Sequence, residues 1–233
     1  MSLSETLIVF DCDGTLVDSQ HLIAEAMRRA FLSAGASPPQ RAEILRAVGL
    51  SMPETLGLLA AEYSEEKRDK IAQAYKEWCF ALRQQPNMAE PMFTGAASLL
   101  LDLAAREGVI LGLATGKSRR GVARFIEHNG LEGVFSTLQT ADDAPSKPHP
   151  AMLLQAMKET GIPPEKTVMI GDTSYDMLMA ACAKVASVGV SWGYHSVADL
   201  EKAGAGSIVH SFSALACRLN ASQAVTASLG AVA

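Results

Sequence analysis

The sequence predicts a doubly wound α/β fold, a parallel sheet flanked by helices, with one helical insertion. Three observations carry that expectation. Short, continuous apolar runs recur along the chain, as in strands buried on both faces of a parallel sheet. Helical patterns lie between most of them, and strands alternating with helices build such sheets. From Gln20 to Met88, by contrast, no strand pattern appears, only helical ones.

The first strand is Thr6–Phe10, a five-residue apolar run. Similar runs follow at Val109–Ala114, Thr167–Ile170 and Val185–Val190, with a weaker one near Phe135–Gln139. Between them, Gly95–Arg106 carries apolar residues at 99, 100, 103 and 104, which is helical spacing. Arg120–Asn129 stops at Gly130 and His149–Thr160 stops at Gly161. Glycine is the usual stop because only it takes a left-handed cap without cost. Ser174–Ala183 follows Asp172.

Within the insertion, helices are expected over Leu22–Ser33, Arg41–Val48, Pro53–Tyr63 and Glu65–Gln84. Leu22, Ile23, Ala26, Met27, Ala30 and Phe31 form one apolar stripe. Pro86 and Pro91 bound the segment. The expected division is therefore a core of residues 1–19 and 89–219, an insertion of 20–88, and an Ala- and Ser-rich flexible tail of 220–233.

Composition narrows the function. The chain has 233 residues, 48% hydrophobic and 19% charged, which is a globular and not a disordered profile. A net charge of −5 gives no electrostatic footprint for nucleic acid. Nine basic and eight acidic residues fall within 20–88, so the acidic excess belongs to the core. No apolar run approaches the ~18 residues of a membrane span. Residues 1–5 lack a charged region leading into an apolar stretch, so no secretory signal is expected. The cysteines at 12, 79, 182 and 217 have no metal-binding spacing and fit a reducing cytoplasm. Without export, the glycosylation match Asn220-Ala-Ser222 is chance.

The chemistry concentrates at predicted strand ends, where open α/β sheets bind ligands. Asp11-Cys12-Asp13-Gly14-Thr15 leaves the first strand; two carboxylates one residue apart exceed what a solvated Asp-Gly turn requires. Thr115-Gly116-Lys117 follows the second apolar run. Lys147-Pro148 precedes a helix, and Gly171-Asp172-Thr173 follows a strand, with Asp176 four residues beyond Asp172. Taken singly, each of these reads equally well as a turn, a helix start or a helix cap. Together they place acid, hydroxyl, lysine and acid on one edge of one sheet.

In that order, these motifs resemble those of the haloacid dehalogenase-like hydrolases, specifically the phosphatases with a helical cap inserted after the first motif. The resemblance runs from Leu7 to about Leu215, and Trp192-Gly193-Tyr194 is similar to phosphoglycolate phosphatase-type members. It implies a Rossmann-like core and hydrolysis of a small phosphate monoester, with phosphoglycolate the leading substrate. Asp11 would be the nucleophile, forming an aspartyl-phosphate that splits one hard step into two. Asp13 would protonate the leaving group and then activate water. Mg²⁺ would be held by Asp11, Asp172 and Asp13, the last through its backbone carbonyl. Thr115, Gly116 and Lys147 would bind the phosphoryl oxygens. Gly14, Thr15, Gly171 and Asp176 would support them. The partner implied is a small phosphorylated metabolite, acted on by a monomer or homodimer.

Other readings are distinguishable. Dehalogenases of this group lack the second acid, which is Asp13 here. Its sugar phosphomutases carry an arginine after a Gly-x-Ser cap turn, whereas Gly49-Leu50-Ser51 is followed by Met52 and Pro53. That cap loop, Gly49, Leu50 and Ser51, is the candidate specificity loop. A pyrophosphatase of the same group, or a phosphate-sensing module without turnover, remains an alternative. Gly116-Lys117-Ser118 mimics the end of a P-loop, but the required first glycine is replaced by Leu111. His149 reads as a helix-start residue, His21 and His195 as candidates for the cap cleft, and Trp78 and Trp192 as packing residues. Relatives end the last motif's helix with glycine; here Lys184 stands there, so either a lysine takes a left-handed cap or the turn differs.

Overall fold

The computed structural model describes residues 5–220. Six parallel strands form one sheet in the order β3-β2-β1-β4-β5-β6. They are β1 (Thr6–Phe10), β2 (Val109–Ala114), β3 (Thr137–Gln139), β4 (Thr167–Gly171), β5 (Ala186–Val190) and β6 (Ile208–Val209). The strand order reverses direction at β1, so the crevice beside the carboxyl ends of β1 and β4 is the switch point at which such sheets bind ligands.

The strand run of β1 explains how the sheet is buried. Ile8 and Phe10 point into one layer, with α5 (Ala96–Ala104), α6 (Arg119–Asn129) and a last helix, α10, over 212–220. Leu7 and Val9 point into the other, with α7 (Ala151–Thr160) and α8 (Ser174–Ala183). All four side chains are at most 1% exposed. Period-two alternation with apolar residues on both faces is what continuous apolar strands require.

Between β1 and α5 lie only helices: α1 (Gln20–Ser33), α2 (Arg41–Arg46), α3 (Met52–Leu59) and α4 (Glu65–Leu82), with a short 3-10 turn over Pro86–Met88. The expected stripe on α1 buries Ile23, Met27, Ala30 and Phe31 against Ile44, Leu56 and Ile71, a core separate from the sheet's. The chain enters and leaves this unit side by side. Asp18 N donates to the Pro91 carbonyl at 2.9 Å, and Phe93 N to the Leu16 carbonyl at 3.0 Å.

Some expectations needed correction at their ends. The second insertion helix stops at Arg46, the third spans Met52–Leu59, and α7 starts at Ala151 with exposed His149 receiving a bond from its first amide at 3.2 Å. Strand β6 and the helices α9 (Val197–Lys202) and α10 were not expected. The tail expectation, Asn220 apart, lies outside the described residues. Gly130 and Gly161 do end their helices in the left-handed conformation. Lys184 adopts it too, with φ 59°.

Lys184 is the one non-glycine described residue with positive φ, and its left-handed geometry carries a penalty that glycine escapes. Lys184→Gly is expected to stabilise the protein by about 0.5–1 kcal/mol, after glycine's larger unfolded-state entropy is counted. Urea unfolding midpoints of the two proteins check this.

Candidate active site

The carboxyl ends of β1 and β4 bring the two acidic motifs together. Asp11 directly follows β1 and Asp172 directly follows β4, whose last residue is Gly171. Asp176 sits in the first turn of α8, where it closes a capping box: its Oδ2 accepts from Thr173 N at 3.0 Å and from the Thr173 hydroxyl at 2.7 Å. Carboxylate oxygens of Asp11, Asp172 and Asp176 all lie within 4.8 Å of one another, and all three residues are at most 1% exposed.

Three buried carboxylates need a cation, and Lys147 supplies one. Its ammonium bonds Asp11 Oδ1 at 2.7 Å and Asp176 Oδ1 at 2.6 Å from a fully buried position. The cluster is still short of positive charge. Burial pushes the Asp11 carboxyl up to about 7, with Asp176 and Asp13 adding to the rise and Lys147 opposing it. Asp172 is raised well above the carboxylate range, by burial first and then by Asp11 and Asp176.

The oxygens differ in what they are free to do. Both Asp176 oxygens are committed, to Lys147 and Thr173. Asp172 Oδ1 accepts from the Thr15 hydroxyl and Oδ2 from Tyr194 N, each at 2.8 Å. Asp11 Oδ1 is held by Lys147, but Asp11 Oδ2, buried, has no hydrogen-bond partner among the described residues. Buried carboxylates short of positive charge, with lone pairs to spare on Asp11 and Asp172, are a donor set suited to a hard divalent cation. Close packing is built in at Gly14, with φ +86°: a Cβ there would lie 2.3 Å from Asp172 Oδ2.

Asp13 faces elsewhere. Its Oδ1 accepts from the Ser19 hydroxyl at 2.5 Å and pairs with the Lys117 ammonium. Lys117 also lies 3.5 Å from Glu90, which Arg83 grips at 2.5 Å. Burial works to lower the Lys117 pKa, but Asp13 and Glu90 hold it above its ordinary value. Burial likewise pushes Glu90 up, yet the Arg83 hydrogen bond and the Lys117 charge keep it below the usual carboxylate range. Sequence reasoning missed this chain of charges. Lys117 was visible in Thr115-Gly116-Lys117 and as the end of a false P-loop, with no partner assigned, and Glu90 and Arg83 reach it through folding.

Thr115 and Gly116 leave β2 and line the same cleft as Asp11, Asp13 and Lys117. The cleft has a volume of about 510 Å³. The cap loop closes directly onto this edge: a Cβ on Gly116 would sit 2.8 Å from the carbonyl oxygens of Gly49 and Leu50. Ser51 N donates to Ser146 Oγ at 2.8 Å, and the Ser51 hydroxyl bonds Glu54. The two histidines expected in the cleft are not there. His21 is exposed in an outer groove with Glu25, Arg28 and Arg41. His195 is buried, accepting from Ser174 N at its Nδ1 and donating from Nε2 to the Arg46 carbonyl, both at 3.1 Å, which assigns the neutral tautomer. Trp78 and Trp192 pack as expected, each with its indole N–H bonded, to Ser33 and to the Thr15 carbonyl.

A parallel sheet with clustered carboxylates and a buried lysine at its switch point defines an α/β protein with a buried acidic site, and the family can be named. The model of the family described as haloacid dehalogenase-like hydrolase matches residues 8–190, and the chain belongs to that family. A relative from Dickeya dadantii, named probable phosphatase IndB, is 34% identical over 210 residues, covering 89% of this chain and 90% of the relative. A protein of Psychrobacter arcticus named phosphoglycolate phosphatase is 29% identical over 219 residues, covering 91% and 95%. The crystal structure of a hydrolase from Pseudomonas syringae superposes with a TM-score of 0.82 at 28% identity, covering 93% of this chain and 98% of that one. Among the described residues no helix is long and apolar enough to cross a membrane.

The raised carboxyls set a direction for pH. A group whose native pKa lies above its unfolded value holds a proton in the folded state that the unfolded chain releases, so metal-free stability falls as pH rises from 3.8 towards 7. A divalent cation that displaces that proton relieves the repulsion, and it binds better as pH rises. Addition of Mg²⁺ is therefore expected to raise Tm more at about pH 8 than at about pH 6. Differential scanning fluorimetry at the two pH values checks it; an equal or smaller shift at the higher pH would contradict the assignment.

Proposed function

We propose that the protein is a Mg²⁺-dependent phosphatase that hydrolyses a small organic phosphate monoester through a phospho-Asp11 intermediate beneath a helical cap. The observation that carries this reading is the asymmetry of Asp11: one oxygen gripped by Lys147, the other buried and unpartnered. A nucleophile needs that arrangement, because a lone pair already donated to a hydrogen bond is a poorer attacking group. Membership of a hydrolase family and relatives named as phosphatases support it.

In the proposed reaction Asp11 Oδ2 attacks phosphorus and the bond to the ester oxygen breaks. Lys147, the Thr115 hydroxyl and the Gly116 amide balance charge on the phosphoryl oxygens, which is the largest contribution such donors make. Asp13 gives its proton to the departing alkoxide, then takes one from the water that attacks phospho-Asp11, releasing inorganic phosphate and restoring both acids. Lys117 pairs with Asp13, and a bound phosphate offers that ammonium a second anion. Mg²⁺, held by Asp11, Asp172 and the Asp13 carbonyl, would neutralise phosphate charge and keep it beside the nucleophile. Asp176, with both oxygens committed, is a positioning residue for Lys147. Residues 20–88 act as the cap and exclude bulk water. Four free cysteines fit action in a reducing cytoplasm.

Phosphate release from a panel of esters, phosphoglycolate and pyrophosphate included, tests the reading with Mg²⁺ and with chelator. Release is expected only with Mg²⁺, and Asp11→Asn is expected to lose about 10³-fold or more of it. Turnover surviving in Asp11→Asn sinks the nucleophile assignment. Lys117→Met is expected to lower kcat by about 10-fold to 100-fold with a smaller change in KM, because it disturbs the acid–base group more than ground-state binding. Steady-state kinetics decide, and a change confined to KM would contradict the role.

A further inference from the structure

Two helices line the cleft, one from the insertion and one from the core, and their cations differ in whether they are matched. Lys76, Phe80 and Arg83 recur on one face of α4 and its end, at the spacing i, i+4 and i+7. Lys117, Arg120 and Arg124 follow one another into and along α6. Nearest Asp13 the charges cancel, with Arg83 held by Glu90 and Lys117 by Asp13 and Glu90. One step outward, the Arg120 guanidinium lies 6.0 Å from the centre of the Phe80 ring, which marks where the two helices face each other.

From that step outward the positive charge is unmatched. Lys76 and Arg120 are exposed, Arg124 is half-buried, and none of the three head groups has a hydrogen bond or ion pair with a described residue. The acids lining the cleft are Asp11, Asp13 and Asp142, and Asp142 is engaged by the Arg119 amide, from which it accepts at 2.8 Å. Helix α6 has no acidic residue in its first turn, so the positive end of its dipole adds to the same patch. A chain of net charge −5 thus carries three unmatched cations in the cleft that holds Asp11, where they draw in an anion against the field of the whole protein.

We infer that the organic part of the substrate ends in a second anionic group, a carboxylate or a phosphate, which Lys76, Arg120 and Arg124 bind together at the outer end of the cleft. Guanidinium groups meet either anion with paired hydrogen bonds. The seven residues from Arg83 back to Lys76 amount to about 10 Å of helix rise, so the second anion stands about 6–10 Å from the phosphorus once the reach of the side chains is allowed for. Phosphoglycolate is too short for this, since a single carbon separates its carboxylate from the ester oxygen. The cleft volume of about 510 Å³ accommodates the longer diacid. Because Lys76 belongs to the insertion and both arginines to the core, the second anion also bridges the two. The inference rests on the phosphatase reading and names its substrate class.

Phosphonates, which are not hydrolysed, separate the anion site from the chemistry. Calorimetric titration of the Mg²⁺-loaded protein compares pentylphosphonate with two chains of like length, 5-phosphonopentanoate and pentane-1,5-diphosphonate, and with the short phosphonoacetate. One or both long diacids are expected to bind at least about fivefold tighter than pentylphosphonate and phosphonoacetate, and the one that gains more identifies the anion. Lys76→Met combined with Arg124→Met, shown folded by its thermal melt, is expected to bring that advantage within about twofold. Pentylphosphonate or phosphonoacetate binding as tightly as both long diacids, or an advantage that survives the double substitution, overturns the inference and leaves the phosphatase reading intact. A diacid preference without hydrolysis of any ester upholds the anion site and removes the phosphatase reading.

Discussion

One ammonium group holds the acidic edge of this protein together. Lys147 lies between Asp11 and Asp176, fully buried, and joins three separate stretches of chain: the end of β1, the loop after β3 and the first turn of α8. Removing any one charge from such a set leaves the others uncompensated in a low-dielectric interior. Even with Lys147 present, Asp11 and Asp172 are pushed upward by burial and by one another. The edge is therefore built with a deficit of positive charge, which a bound cation would meet.

A second lysine divides the labour. Asp11 and Asp13 are two residues apart, yet they face different cations, Lys147 and Lys117. Each carboxylate therefore has its own counter-charge. The extended backbone leaving β1 sends alternate side chains to opposite sides, so a spacing of two alone would put both on one side. After Asp13 the chain turns at Gly14, where Leu16 N and Val17 N both donate to the Cys12 carbonyl. Gly14 also makes room for Asp172, so one residue serves both the turn and the cluster.

Much of this was legible in the sequence, because the signals were local. Apolar runs marked five strands, glycine stops marked two helix ends, and the absence of strand patterns isolated the insertion. The acidic motifs were legible too, since carboxylates at strand ends are hard to explain structurally. What escaped has physical reasons. Strand β6 is two residues long and has no period to detect. Helix α9 opens with Ser196, whose side chain caps Asp199 N, a local signal that could have been read. Helix α10 buries Phe212, Leu215 and Leu219, a helical spacing masked by the Ala- and Ser-rich sequence that follows. His195 was a candidate for the cap cleft, but its two nitrogens are spent holding Ser174 and Arg46. The environment of Lys117 was invisible because Asp13, Glu90 and Arg83 meet only in the folded chain.

That last network ties the insertion to the acid it covers. Arg83 follows α4, Glu90 lies in the returning linker beside Pro91, and Asp18 pairs with Pro91 across the two crossings. Lys117 bonds both Glu90 and Asp13. A displacement of α4 about those crossings must carry Arg83 with it, and that changes the charge Glu90 presents to Lys117. Because the pair is buried, such a change is screened little. The linker that returns from residues 20–88 to the sheet therefore bears on how tightly Lys117 holds Asp13. The position of residues 20–88 and the ion pairing of Asp13 are thus linked through four side chains, Arg83, Glu90, Lys117 and Asp13 itself.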